Sequence, residues 1–156
     1  MSLNIGAHTD NLHGTPLEAM ARVRALSDGR YENPDDMPTH GGRRYFDAGL
    51  CAHVELDTGQ TVLLTSKRDE NTSLVQHFHI GIRPETFAVI VTKGVISPQA
   101  AYAAVAANGK EGFLFANTAG ATTQDLTALP FERRRKPLFP FETDCVWQEG
   151  DERAQL

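Results

Sequence analysis

The stretch "VIVTKGVISPQAAY", Val89 to Tyr102, decides how the chain is read. It opens on the end of the most hydrophobic run of the sequence, "RPETFAVIVTK". A continuous apolar run of this kind predicts a central strand covered on both faces. Gly94 then releases the chain, Ser97 stands at an N-cap position, and Pro98 follows at the first helical position. Alanines fill the helix body, and Asn108-Gly109 supply its stop. "GFLFANT" reads as the next strand. Strand, helix and strand in this order predict a right-handed parallel crossover.

Working outward, the segments before this unit read as β-structure. "LEAMARVRAL" alternates Leu17, Ala19, Ala21, Val23 and Ala25 against Glu18, Met20, Arg22 and Arg24, the period of a strand with one buried face. "SDGR", Ser27 to Arg30, is an Asp-Gly hairpin signal. "LCAHVELDTGQTVLLTS" gives a strand, a turn at Thr58-Gly59, and a buried strand over Thr61 to Thr65. "TSLVQHFHIGI" predicts a short helix, capped by Thr72 or Ser73 and ended by Gly81. "NPDDMPTHGGRR" reads as a mobile loop, and "MSLNIGAHTD" shows no full strand before its first turn. Past the crossover, "TTQDLTALP" predicts a helical turn and "FERRRKPLFPFETD" an extended, Pro-punctuated segment. The whole is an α/β chain of α+β-like character. It has a mixed sheet with N-terminal β-hairpins, a βαβ unit, and helices packed on the sheet.

With 156 residues, one domain is expected, with 1–4 as a cloning leader and 143–156 as a frayed tail. The net charge of -5 argues against nucleic acid or an anionic membrane as partner. No apolar run reaches the ~20 residues of a membrane span. Cys51 and Cys145 form no CxxC pair and follow no signal peptide, which fits reduced thiols in the cytoplasm.

The chemistry-bearing candidates start at the opening stretch. Ligands of open α/β sheets bind beyond the carboxyl ends of strands. Lys93 lies at such an end, and a helix N-terminus near Ser97 would favour negative charge beside it. Thr92, Lys93, Gly94 and Ser97 are therefore a candidate anion site. The competing reading is a solvated lysine and an ordinary cap. Thr65, Ser66 and Arg68 end another strand and are second contributors. His77 and His79 are two apart, about 200° on a helix, and make a poor metal pair. His8 and His13 lack the further ligands that zinc needs. The run Arg133 to Lys136, beside prolines, reads as a solvated or interdomain edge.

Taken in order, "GAHTDNLHGTPLE", "VRALSDGRY", "HGG" (His40 to Gly42), "LLTSKR", "SLVQHFHIGIRPETF", "VTKGVISPQAAY" and "TTQDLTALPFERRRKPLFPFE" resemble the C-terminal domain of the microcystinase C-like (MlrC-like) metallopeptidases. The resemblance covers about residues 5 to 142. It departs at His8, where the family's turn carries a lysine, and at Ser97-Pro98-Gln99, which is similar to a different branch.

The resemblance implies a zinc-dependent hydrolase as parent, some of whose relatives open linear peptides derived from a cyclic cyanobacterial toxin. It places the zinc ligands in a larger N-terminal domain, with no cofactor in this chain. The expected partners are that N-terminal catalytic domain and a small peptide or other small-molecule substrate. Neither nucleic acid nor membrane is expected, and self-association is left open. Two other readings compete: a stand-alone module for a small anion, and a structural or oligomerisation domain.

Overall fold

The alternation of Leu17 to Ala25 does form a strand, and it organises the sheet. In the computed structural model, which describes residues 1–8, 14–34, 36–37, 39–118, 123, 125–139 and 141–146, the chain divides into two compact units, Met1–Phe115 and Ala116–Leu156. The first unit holds a four-stranded antiparallel sheet. Its strands are β1 (Ser2–Ile5), β2 (Leu17–Ser27), β5 (Cys51–Leu56) and β6 (Thr61–Thr65), in the order β1-β2-β5-β6. A separate two-stranded ribbon pairs β3 (Arg30–Glu32) with β4 (Tyr45–Asp47).

Strand β5 is packed on both faces. Ala52, Val54 and Leu56 point to one side, against Ala21 from β2 and Val62 and Leu64 from β6. Cys51 points to the other, into a cluster of Tyr31, Phe46, Ala48, Ile80 and Ile82. Strand β2 serves both sides because its register with β5 shifts between Val23 and Ala25. Arg24 is the extra residue of this bulge. Before it, Ala21 lies opposite Leu56 and Val23 opposite Val54; after it, Ala25 lies opposite His53 and packs against the second cluster. One uninterrupted alternation thus feeds two cores.

The Thr58-Gly59 turn joins β5 to β6 as read, with Gly59 at φ 92°. The Asp-Gly turn does not make a hairpin. It passes the chain from β2 in the sheet to β3 in the ribbon. Gly29 adopts φ 71° there, and a Cβ would run into the carbonyl oxygen of Gly49. The tight crossing of two backbones is what the glycine serves.

Helix α1 (Val75–Phe78) is short. Ser73 Oγ accepts from the Val75 amide at 3.1 Å. Gly81 ends it at φ 79°, with the Ile82 amide reaching back to the His77 carbonyl at 3.0 Å.

Further expectations are corrected. First, the N-terminus does contain a strand: β1 pairs Ser2–Ile5 with Leu17 to Met20. Second, the mixed sheet is antiparallel throughout the described residues, and the βαβ unit does not form there. The segment 87–92 has no strand pairing, with Val89 76% and Val91 92% exposed. Residues 113–118 are likewise unpaired, with Leu114 97% exposed. Parallel pairing brings together segments distant in sequence, whereas the hairpins close short loops. Third, the long Ala-rich helix shrinks to α2 (Gln99–Tyr102). The loop from Asn33 is also anchored. Buried Asn33 donates to the Met37 carbonyl at 2.8 Å and accepts from Ser73 Oγ.

The second unit is small. Asp125 accepts the Thr127 and Ala128 amides at 3.1 and 3.3 Å and starts a 3-10 turn over Leu126–Ala128, the helical turn read there. Arg134 grips both carboxylate oxygens of Glu142 and lies over the Phe141 ring at 4.4 Å. It is a bound member of the basic run rather than a solvated one. The segment is a series of turns, not an extended one.

Candidate functional site

Two loops of the first unit carry the residues singled out by sequence. One follows β6, over 66–71; the other runs over 92–98. Along the first, alternate residues are tied down. Lys67 pairs with Asp47 at 2.6 Å, Asp69 with Arg43 at 2.9 Å, and Asn71 donates to the Lys93 carbonyl at 3.2 Å. The last contact joins the two loops. Between these anchors Arg68 stands exposed, and so does Lys93 across the junction. Neither cation has a hydrogen-bonding or ionic partner among the described residues.

The other predicted residues take structural roles. Thr65 Oγ1 donates to the Lys67 carbonyl at 2.8 Å. Ser66 donates its amide to the Leu50 carbonyl at 2.9 Å, and its hydroxyl closes over Gly49. Thr92 is half-buried. Gly94 adopts φ 116°, and a Cβ there would press on Ser97 Oγ at 2.9 Å and Pro98 Cδ at 3.3 Å. That tight turn, rather than the approach of a ligand, accounts for the glycine. Ser97 makes no capping hydrogen bond, because α2 begins after Pro98. A four-residue helix has little macrodipole, so the expected anion site at a helix N-terminus loses that part of its basis.

Beneath the first loop lies a buried polar group that sequence reasoning missed. The Tyr31 and Phe46 rings stack at 4.8 Å, and His79 stacks on Tyr31 at 4.8 Å. His79 Nδ1 donates to the Val75 carbonyl at 3.1 Å. His77 Nε2 meets the Tyr102 hydroxyl at 2.8 Å. The two histidines therefore enter different contacts, as their spacing on a helix predicts.

Burial, with His79 adding to it, lowers the His77 pKa to about 4, so the ring is neutral near pH 7. Burial raises the Tyr31 phenol well above its usual range, with the Asp69 carboxylate contributing next. Burial alone does the same to Tyr102. Tyr31 Oη, Asp69 Oδ2, Gln76 Oε1, His77 Nδ1 and His79 Nε2 are buried without a hydrogen-bond partner among the described residues. Such atoms call for ordered water. No short motif marks this group. Tyr31, Arg43, Asp69 and His79 come from four separate segments, and only the fold gathers them.

Among the described residues, no group of three or more His, Cys, Asp or Glu side chains is placed to hold a metal ion. His8 bonds the Asn4 carbonyl at 2.8 Å, while His13 lies outside the described residues. A shallow, open depression on the ribbon is lined by Arg30, Tyr31, Glu32, Tyr45, Phe46 and Asp47, and not by Lys93. No described helix is long and apolar enough to cross a membrane.

An antiparallel sheet with exposed basic loops defines a domain class rather than an activity. The family follows from comparison: residues 1–133 match the family described as the MlrC C-terminus, and the chain belongs to that family. No curated protein and no solved structure matches it.

Proposed function

We propose that this chain is the C-terminal accessory domain of a zinc-dependent MlrC-like metallohydrolase, a peptidase, and that it forms one wall of the substrate cleft. The observation that carries this reading is the family match over residues 1–133. In this reading, as the resemblance implies, the zinc sits in the N-terminal catalytic domain of the parent.

The wall is built on the two joined loops. Lys93 and Arg68 present positive charge there without internal partners among the described residues. Exposed cations with no internal partner are free to meet a substrate carboxylate, or negative charge that develops during hydrolysis. Thr92, Ser97, Thr65 and Ser66 shape the loop backbones around them, and Gly94 permits the turn. The substrate is a small peptide or a similar small molecule carrying a carboxylate.

The test pairs the chain with the N-terminal part of an MlrC-like protein. Alone, this chain retains no stoichiometric zinc after dialysis and hydrolyses no peptide. Together with the N-terminal part, Lys93→Ala raises KM for carboxylate-bearing peptides by roughly tenfold, the loss of one charge-assisted contact. Zinc held tightly by this chain alone, or an unchanged KM, refutes the proposal.

A further inference from the structure

The most apolar run of the chain is the least paired. Residues 87–92 are anchored on one side only: Ile90 packs against the cluster of Leu74, Ala101 and Tyr102. Phe87, Val89 and Val91, the alternate positions, are all exposed, up to 92% at Val91. No hydrogen bond from a described residue reaches the amides of Ala88 to Thr92. The same cluster holds Phe113, beyond which Leu114 and Phe115 are exposed. This is half of a strand: one face seated, the other face exposed, and the backbone unpaired among the described residues. Apolar surface of this kind marks an interaction site, and an open edge is a template for another strand.

We infer that residues 87–92 are the docking strand of this domain, and that the occupant is an edge strand of the N-terminal part of the MlrC-like parent. The inference rests on the accessory-domain reading and adds the surface by which the two parts join. The family is described as the C-terminus of MlrC, so its members are joined to a preceding part. The exposed stretch lies inside the matched region. Two parts of one chain never need to separate, and permanent interfaces are the ones that tolerate this apolar character. Main-chain pairing along 88–92 would satisfy the open amides. Val89 and Val91 would pack into the sheet that receives them. Leu114 and Phe115 would extend the apolar contact.

Hydrogen exchange tests this on the 156-residue chain, alone and mixed with the N-terminal part of an MlrC-like protein. Alone, the amides of 88–92 exchange at near-intrinsic rates while those of β5 are protected. With the N-terminal part bound, 88–92 slow by at least about 100-fold. The double variant Val89→Asp, Val91→Asp keeps the protection of β5 and weakens that binding at least about tenfold. Loss of β5 protection in the variant would show misfolding, and Val91→Ser alone then gives the affinity comparison.

Slow exchange of 88–92 in the dilute chain overturns the inference, because the segment is then paired internally. Protection that appears only as the chain doubles in mass also overturns it, since the occupant is then a second copy. Unweakened binding by the folded variant overturns the surface while leaving the accessory-domain reading intact. Protected pairing with an N-terminal part that holds no zinc does the reverse: the docking strand stands and the metallohydrolase reading falls.

Discussion

Strand β5 and the segment 87–92 are the two stretches whose composition reads most simply as buried strand, and they end in opposite states. Val54 in β5 is 1% exposed; Val91 is 92% exposed. The difference lies in their neighbours. Strand β5 has β6 four residues away through Thr58-Gly59, and β2 along its other edge. Both pairings are antiparallel, and the β6 partner closes a short loop at low entropic cost. The segment 87–92 has no such local partner, and its backbone stays open. Apolar composition states that a segment needs covering. It does not state which part of the chain, or which chain, does the covering.

The sharpest way to break this comparison is to replace the two valines in parallel. Val54→Ala should cost roughly 2–3 kcal/mol, from lost transfer energy and the cavity left behind. Val91→Ala in the same chain should fall within about 0.5 kcal/mol of zero, as for any exposed site. Urea unfolding of both variants measures the contrast, and equal costs would mean that 87–92 is buried after all.

Acid should separate the cluster that seats Ile90 from the sheet. The unfolded His77 ring takes its proton near pH 6.5, the folded ring only near 4. Between these values the unfolded state binds more protons, so stability present above pH 6.5 is lost as the pH falls toward 4. The loss approaches about 2–3 kcal/mol. His77→Gln, which can still bond the Tyr102 hydroxyl, should flatten that part of the stability–pH curve. A curve of unchanged slope between pH 6.5 and 4 would reject this.

At the passage from sheet to ribbon, Gly29→Ala should cost about 2 kcal/mol, because a left-handed residue gains a Cβ against fixed backbone. Gly59→Ala, at a similarly positive φ but with open space around it, should cost less. Thermal melts of the pair distinguish backbone collision from φ strain alone. The smallest effect is expected in the second unit. Arg134 and the Leu138 amide hold the Glu142 carboxyl down to about 2. Glu142→Gln should speed proteolysis within 131–142 and leave β5 exchange unchanged.

The hairpin part of the fold was legible because its signals are local. Alternation in β2, the Thr-Gly turn, and Gly81 after α1 each act over a few residues. The crossover misled because its two strands require partners that no local signal identifies. The Asp-Gly turn misled for a related reason. Its geometry was read correctly, but a turn does not specify that its two flanks pair with each other. At the candidate site, Lys93 and Arg68 stand exposed on loops, but Lys93 follows no paired strand, so its expected place at a strand end did not hold. The buried group of Tyr31, Asp69 and His79 was not, since spacings of 38 and 10 residues leave no motif.

The bulge at Arg24 bears on how this chain can change length. A strand that alternates in and out has only two phases, and the extra residue switches β2 from one to the other between Val23 and Ala25. A regular ladder that kept Arg24 would set it opposite His53 and Ala25 opposite Ala52, turning Ala25 toward the wrong core and leaving the Cys51 side short of a neighbour. The irregular pairing is therefore the condition for a single strand to be shared. Deleting Arg24 itself would leave the remaining pairs in place, whereas a one-residue insertion or deletion elsewhere between 22 and 26 should be far more damaging than a substitution at the same position.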